Sequence, residues 1–133
     1  MTPSEQQLLV AAAREARANA CARYSGFAVG AALLTGDGQV FRGVNVESSS
    51  YGLTCCAERV ALFSALAAGA RVFRGVAVVT AAQHPTPPCG ACRQLLWDYG
   101  RDLEIVLANL SGGFESHTLS ELLPHAFDDQ NLG

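Results

Sequence analysis

Two short stretches, Thr54-Cys55-Cys56-Ala57-Glu58-Arg59 and Pro88-Cys89-Gly90-Ala91-Cys92, contain four of the five cysteines of this 133-residue chain. Each is followed by a segment of helical character, so each is predicted to begin a helix. Cys89 and Cys92 are three residues apart, which places their thiols on one helix face, where both can bind one ion. Pro88 suits the first helical position, and the positive end of a helix stabilises thiolates. The pattern predicts a metal site.

Cys56 and Glu58 set a geometric condition on this site. Two residues apart within a helix, they would point about 200° away from each other. They converge only on a target beyond the helix end, which predicts that the metal lies at the N-terminus of this helix too. Thr54 is the predicted N-cap.

Three thiolates from Cys56, Cys89 and Cys92 fill three positions of a tetrahedral zinc ion and leave the fourth to water, which is typical of a catalytic site. We therefore expect one Zn²⁺ per chain. Three thiolates give the site a net negative charge, which Arg59 is placed to offset through hydrogen bonds to sulfur. Glu58 is then left free to move protons.

Other interpretations of the cysteines fit less of the pattern. A structural four-cysteine site requires the adjacent Cys55 as a ligand, and a redox pair at Cys89 and Cys92 ignores Cys56. Neither gives Glu58 a role. A non-catalytic zinc-binding module is the alternative from a different class of protein. His84, His117 and His125 are predicted to be surface residues.

The composition narrows the class of protein, its partners and the compartment in which it works. Half of the residues are hydrophobic, which indicates one folded domain over residues 1–133. The net charge of −3 and the absence of a basic run predict no nucleic-acid partner. The start of the chain lacks the basic region of a signal peptide, and its longest apolar stretch is too short for a membrane span, so we expect a cytoplasmic protein. An odd cysteine count argues against a disulfide framework, and Cys21 is predicted to be buried.

The chain alternates helices with strands. Ser4 as N-cap, with Gln7 completing a capping box, begins the first predicted helix. Helices are predicted at Ser4–Ala22, Cys55–Ala68, Cys89–Tyr99 and Ser120–Pro124, and strands at Ala28–Leu34, Gln39–Val46, Val72–Thr80, Leu103–Asn109 and Phe114–His117. The turn at Gly36-Asp37-Gly38 predicts an opening hairpin. The pattern favours an α/β fold, a three-layer α/β/α sandwich around a mixed sheet of roughly five strands.

Two further features concern binding. Asn45 and Glu47 are two residues apart on a predicted strand end and so point to one side, which suits sugar hydroxyls, although a solvated strand end remains open. The helix after Arg59 is apolar on almost every side, which indicates burial all round and hence a subunit interface.

At this point the chain resembles the small homotetrameric zinc-dependent cytidine deaminases. The resemblance rests on five segments that run nearly end to end. They are Tyr24-Ser-x-Phe27-x-Val-Gly-Ala, Gly43-x-Asn45-Val-Glu47, Tyr51-Gly-Leu-Thr-x-Cys56-Ala-Glu58-Arg59, Pro88-Cys89-Gly-Ala-Cys92-Arg-Gln and Leu122-Leu-Pro-x-Ala-Phe127. Two departures are Ser48-Ser49, where the family usually has Asn-Ala, and Arg23, where it usually has Pro.

The resemblance implies a role for each matching residue. Cys56, Cys89 and Cys92 bind zinc, and Glu58 is the proton shuttle. Asn45 and Glu47 hold the ribose, Phe27 packs beside the nucleoside, the Ala57 amide lies near the pyrimidine carbonyl, and Phe127 comes from a neighbouring subunit of a homotetramer with shared active sites.

The implied activity is hydrolytic deamination of cytidine and deoxycytidine to uridine and deoxyuridine plus ammonia, in pyrimidine salvage. Within the superfamily, blasticidin-S-type deaminases share Cys-Ala-Glu, whereas tRNA adenosine deaminases have His-Ala-Glu. The acidic balance, Cys56 in place of His, and the pair Asn45 and Glu47 favour a free nucleoside.

Overall fold

The computed structural model describes all residues from Met1 to Gly133. Its five strands form one sheet in the order β2-β1-β3-β4-β5. The elements are α1 (Pro3–Arg17), β1 (Gly30–Thr35), β2 (Val40–Val44), α2 (Ala57–Ala67), β3 (Phe73–Thr80), α3 (Gly90–Tyr99), β4 (Glu104–Asn109), β5 (Phe114–Thr118) and α4 (Leu119–Leu122), with short 3-10 helices at Tyr51–Leu53 and Asp129–Leu132.

The sheet is mixed, as predicted. Strand β1 pairs antiparallel with both β2 and β3, β3 pairs parallel with β4, and β4 pairs antiparallel with β5. Because β2 and β3 are each antiparallel to β1, they run in the same direction. Their C-terminal ends therefore lie at the same edge of the sheet, and the chain leaves both of them toward the helices α2 and α3.

Two apolar clusters fill the space on either side of the sheet, which confirms the three-layer sandwich. Neighbouring residues of a strand point to opposite faces, and Ala32 and Leu34 of β1 pack with α1, whereas Ala31 and Leu33 pack with α2 and α3. None of the helices combines the length and apolar character needed to cross a membrane.

A close approach at Gly43 fixes α2 against the sheet. A Cβ atom at this position of β2 would lie 2.2 Å from the Ala57 carbonyl oxygen and 3.0 Å from the Ala61 side chain. Only glycine therefore allows the first turn of α2 to lie this near to β2. The position of that turn matters because it carries Cys56 and Glu58.

The first helix differs from its prediction at both ends. Thr2, rather than Ser4, is the N-cap, and Glu5 completes the capping box in place of Gln7, because Pro3 then takes the first helical position. The helix ends at Arg17, and Cys21 lies beyond it in a β-bridge with Val46. The prediction that Cys21 is buried was wrong, because this bridge leaves its side chain exposed.

Helix α2 is not enclosed by its own chain. Ala57, Ala61, Leu62 and Ala65 are buried against the sheet, but Phe63 is 44 % exposed on the outer side. The predicted burial on all sides therefore does not occur within one chain, and the subunit interface stays a proposal.

Candidate functional site

The starts of α2 and α3 meet beyond the shared edge of β2 and β3. Cys56 is the N-cap of α2, and Cys89 is the N-cap of α3, both with extended backbone (ψ 154° and ψ 165°). The predicted N-cap at Thr54 and the helical position of Pro88 were therefore wrong by one or two residues. Neither cysteine side chain makes a capping hydrogen bond, so both thiols remain free to point off the helix ends toward a common target.

The thiols of Cys56, Cys89 and Cys92 form one cluster, in which all three Sγ atoms lie within 4.8 Å of one another. The Sγ atoms of Cys56 and Cys89 are 3.8 Å apart, and those of Cys89 and Cys92 are 3.4 Å apart. Zinc–sulfur bonds of about 2.3 Å in a tetrahedron place sulfur atoms about 3.8 Å apart. The cluster therefore fits a zinc ion.

Cys55 does not join this cluster. Its backbone N–H donates to the Val46 carbonyl and its carbonyl accepts from the Val46 N–H, both at 2.9 Å. This bridge fixes Cys55 in the extended segment before the helix, and burial raises the pKa of its thiol. The four-cysteine alternative therefore lacks its fourth ligand.

Arg59 lies beside the sulfur atoms, where its Nη2 donates to the Cys56 Sγ at 3.3 Å. Hydrogen bonds from Cys92, and to a lesser extent from Arg59 and Cys89, lower the pKa of the Cys56 thiol to about 5. The pKa of the Cys92 thiol is raised instead, by its hydrogen bond with Cys56 and by burial. The Arg59 Nε is buried without a hydrogen-bond partner. The surroundings thus stabilise negative charge on the Cys56 sulfur, and thiolate is the form that binds a metal.

Glu58 lies in the first turn of α2 and is only 5 % exposed. It is not part of the cluster of possible metal ligands. Burial raises the pKa of its carboxyl to about 7, and the nearby Cys56 thiol adds to the rise. A carboxyl in such a position can gain and lose a proton near neutral pH.

The segment Asn45–Glu47 continues beyond β2 and is held between two neighbours. The Cys21 N–H donates to the Asn45 carbonyl at 2.9 Å, and the Glu47 N–H donates to the Cys21 carbonyl at 3.0 Å. On the other side lies Cys55, next to the first metal-site cysteine. Asn45 and Glu47 are thereby fixed relative to the start of α2, although they lie after the strand end rather than on it.

Both of these side chains bind the turn that carries Phe27. The Asn45 Oδ1 accepts from the Val29 N–H at 2.9 Å, and its Nδ2 donates to the Phe27 carbonyl at 2.8 Å. Asn45 is 7 % exposed. Its amide is therefore not the free group of a solvated strand end, since half of its hydrogen-bonding capacity is used within the chain.

Glu47 is bound by the same turn. Its Oε1 accepts from the N–H groups of Tyr24 and Ser25, each at 3.0 Å, and its Oε2 accepts from the Ser25 hydroxyl. The Ser25 hydroxyl bond is the main reason that the pKa of Glu47 is lowered. The Ser25 Oγ also accepts from the Phe27 N–H at 3.0 Å. Sequence reasoning gave Ser25 no role; its place in the Tyr24–Phe27 turn was the only signal.

A cavity of about 300 Å³ lies beside Glu47 and is lined by Tyr24, Ser25, Glu47, Ser48, Tyr51 and Thr54. Phe27 stands near this region with 41 % of its surface exposed. Phe127 does not line the cavity, because its segment runs along α3 in a separate cleft with Gln94 and Asp98. Of the predicted site residues, only Glu47 lines this cavity, and the substrate-binding roles of Asn45, Glu47, Phe27 and Phe127 stay predictions.

Comparisons with known proteins agree with this arrangement of an α/β sandwich and a three-sulfur site. Residues 3–108 match the family described as the cytidine and deoxycytidylate deaminase zinc-binding region. The chain belongs to this family, and zinc is its cofactor.

Individual relatives cover nearly the whole chain. It is 48 % identical over 129 residues to a cytidine deaminase of Halalkalibacterium halodurans, covering 96 % of this chain and 98 % of that protein. Its structure is similar to a crystal structure of cytidine deaminase from Burkholderia pseudomallei, with a TM-score of 0.90 and 52 % identity over 96 % of this chain and 100 % of that one. A blasticidin-S deaminase of Bacillus cereus is 34 % identical over 107 residues, 72 % of this chain and 74 % of that protein.

Proposed function

We propose that this chain deaminates cytidine and deoxycytidine by hydrolysis and releases uridine or deoxyuridine and ammonia. The observation that carries the proposal is the buried Glu58 beside a three-sulfur cluster, Cys56, Cys89 and Cys92, at two helix starts. Relatives named cytidine deaminase that match 93–96 % of the chain support the choice of substrate.

The cysteines, Glu58 and Arg59 each have a separate role in the proposed deamination. Cys56, Cys89 and Cys92 would hold a zinc ion, which when bound would supply the Lewis acidity that lowers the pKa of the attacking water. Glu58 would accept a proton from the water that attacks C4 and pass it to N3 of the cytosine ring; it would then take the proton of the new C4 hydroxyl and give it to the departing amine, which leaves as ammonia. Arg59 offsets the negative charge of the sulfur atoms.

The pyrimidine carbonyl has a donor available at the start of α2. Ala57 is the first residue of this helix, and the first N–H groups of a helix have no partner within it. The Ala57 N–H can therefore donate to the carbonyl, and Phe27 packs beside the nucleoside.

Asn45 and Glu47 each keep some hydrogen-bonding capacity, and we propose that together they bind one sugar hydroxyl. Asn45 Nδ2 has one hydrogen left after its bond to Phe27, and Glu47 Oε2 has a lone pair left after its bond to Ser25. A single hydroxyl can accept from the first and donate to the second. We infer that this hydroxyl is one that ribose and deoxyribose share, so that deoxycytidine is bound as well.

We further propose a homotetramer in which Phe127 completes the site of a neighbouring subunit. Phe127 is 57 % exposed and lines a cleft separate from the cavity beside Glu47, and Phe63 is exposed on the outer side of α2. Light scattering measures the assembly. Coexpressed Glu58→Gln and Phe127→Ala subunits should regain the wild-type KM that Phe127→Ala alone loses, because some sites then contain both intact residues. An active monomer, or no regain in mixed assemblies, contradicts shared sites.

We place the enzyme in pyrimidine salvage in the cytoplasm. All five cysteines are free thiols, and thiols of this kind persist in a reducing compartment.

The direct test is ammonia release, or loss of cytidine absorbance in the ultraviolet, from a panel of cytidine, deoxycytidine, adenosine and blasticidin S. We expect turnover of the first two. Turnover of blasticidin S alone would favour the activity named for the Bacillus cereus relative. Bound zinc with no turnover of any compound would favour a non-catalytic zinc-binding module.

A further inference from the structure

The segment that carries Phe127 is attached to one side of α3. The Gln94 Nε2 donates to the Phe127 carbonyl at 2.7 Å, and the Trp97 Nε1 donates to the Asp128 Oδ2 at 3.2 Å. The Arg101 Nη2 lies 3.5 Å from the same Asp128 oxygen. These four residues, Gln94, Trp97, Arg101 and Asp128, are called the α3 clasp.

Asp128 is the centre of the α3 clasp. Its side chain is 11 % exposed, and its Oδ1 accepts from the Gln130 N–H at 3.0 Å, which caps the short 3-10 helix that follows. The Arg101 guanidinium lies over the Trp97 ring at 5.8 Å. One carboxylate thus joins α3 to both sides of the segment, and the hydrogen bond from Trp97 lowers its pKa.

The clasp holds the backbone of Phe127 but not its side chain. Gln94 binds the carbonyl of Phe127, Asp128 is the next residue, and His125 just before it takes a left-handed conformation (φ 52°) that turns the chain. The phenyl ring remains 57 % exposed. The anchoring contacts therefore fix where an exposed aromatic ring is presented, which is the arrangement needed if the ring acts outside its own chain.

We propose that Asp128, through the α3 clasp, is a positioning residue that fixes Phe127 for its contact with the nucleoside in a neighbouring site. The proposal rests on the role of Phe127 given under the proposed function. It predicts that loss of the clasp reproduces loss of the ring, whereas a purely structural role predicts lower stability with normal kinetics.

The experiment compares Asp128→Ala with Phe127→Ala and with Asp129→Ala in the zinc-loaded enzyme. Asp129 is a matched control, because it is adjacent, 84 % exposed, and pairs with the same arginine at 2.8 Å. We expect Asp128→Ala to raise KM for cytidine roughly tenfold, the order expected for loss of one aromatic contact. Asp129→Ala should keep the wild-type KM.

A double variant separates positioning from general damage. If Asp128 acts through Phe127, then Asp128→Ala combined with Phe127→Ala should have the KM of Phe127→Ala alone. Trp97 is the only tryptophan of the chain, so its fluorescence reports directly on the clasp. We expect its emission to move to longer wavelength in Asp128→Ala and to stay unchanged in Asp129→Ala.

Milder variants keep the test decisive if Asp128→Ala fails to fold. Asp128→Asn keeps only one of the two acceptor oxygens, which bind Trp97 and Gln130 separately, and should raise KM less than Asp128→Ala. Trp97→Phe removes the N–H donor together with part of the ring and should raise KM by a few-fold. A wild-type KM in Asp128→Ala, or multiplied losses in the double variant, would overturn the proposal. A wild-type KM in Phe127→Ala would instead remove the role of Phe127 on which it rests.

Discussion

The sulfur cluster and the Asn45–Glu47 segment lie next to each other but use their side chains differently. The thiols of Cys56 and Cys89 cap nothing, although both residues are N-caps, and so their sulfur atoms are free for a metal. Asn45 and Glu47, in contrast, already bind the Tyr24–Val29 turn. Under the proposed function the sulfur cluster serves only the reaction, whereas the Asn45–Glu47 segment both supports the turn and binds the substrate. Substitutions in the sulfur cluster should therefore change only zinc binding or turnover, whereas substitutions in the Asn45–Glu47 segment should change both kinetics and stability.

The largest loss of activity is expected from Cys56→Ala, and Cys55→Ala is its matched control. Loss of one of three thiolate ligands should remove zinc and abolish turnover. Cys55 is adjacent but outside the cluster, so Cys55→Ala should keep zinc and nearly all activity. Zinc content by elemental analysis, measured beside kcat, makes the comparison. Zinc loss in both variants would mean that Cys55 is also a ligand.

The next largest loss of activity is expected from Glu58→Gln. As proton carrier, Glu58 should contribute at least the roughly 10²–10⁴-fold in kcat that is typical of general acid–base groups, while the variant stays folded and binds zinc. A carboxylate that only complements the helix dipole contributes about 0.3–1 kcal/mol to stability and nothing to kcat. The measurement is kcat beside zinc content and melting temperature; near-normal kcat in a zinc-loaded, folded variant contradicts the mechanism.

Smaller changes in kinetics are expected from Asn45→Ala and Glu47→Ala, and the first variant should also be less stable. Both should raise KM and lower kcat for cytidine, since binding energy on the ribose is also used in the transition state. Asn45→Ala should in addition lower the free energy of unfolding by about 1–3 kcal/mol, because the partly buried backbone groups of Phe27 and Val29 lose their partner. Steady-state kinetics and denaturant unfolding test the two parts separately. Free cytosine should be a very poor substrate, and normal kinetics with cytidine in both variants would exclude the ribose role.

The smallest effect is expected from Ser25→Ala. The variant removes one of three donors to Glu47 and the acceptor for the Phe27 N–H, so KM should rise by only a few-fold, because the exposed carboxylate keeps its two backbone donors. Ser111→Ala is the matched control, since that hydroxyl also holds a turn, at 3.2 Å from the Asn109 Oδ1, but does not line the cavity beside Glu47. Equal KM values for the two variants would show that the Ser25 bridge does not position Glu47.

Sequence spacing predicted the features that depend on local geometry. The mixed five-stranded α/β sandwich, the two helix starts and the meeting of Cys56 with Cys89 and Cys92 all follow from residue patterns. The N-caps were wrong by one or two residues, because an N-cap is set by backbone angles that Thr54 and Cys56 can both adopt.

Contacts between distant segments were harder to predict. The exposure of Cys21 follows from its bridge to Val46, 25 positions later in the chain, and no periodicity of the first helix indicates that pairing. The bonds of Ser25 to Glu47 and of Trp97 to Asp128 span 22 and 31 positions. Hydrogen bonds over such separations depend on the completed fold, and residue types alone do not specify them.

X-ray absorption at the zinc edge of the loaded protein tests the central claim most directly. The account predicts one zinc ion per chain with three sulfur neighbours at about 2.3 Å and one lighter oxygen or nitrogen neighbour, which is the coordination of a catalytic site. Four sulfur neighbours would contradict it, because the fourth position would then be closed to water and the site would be structural.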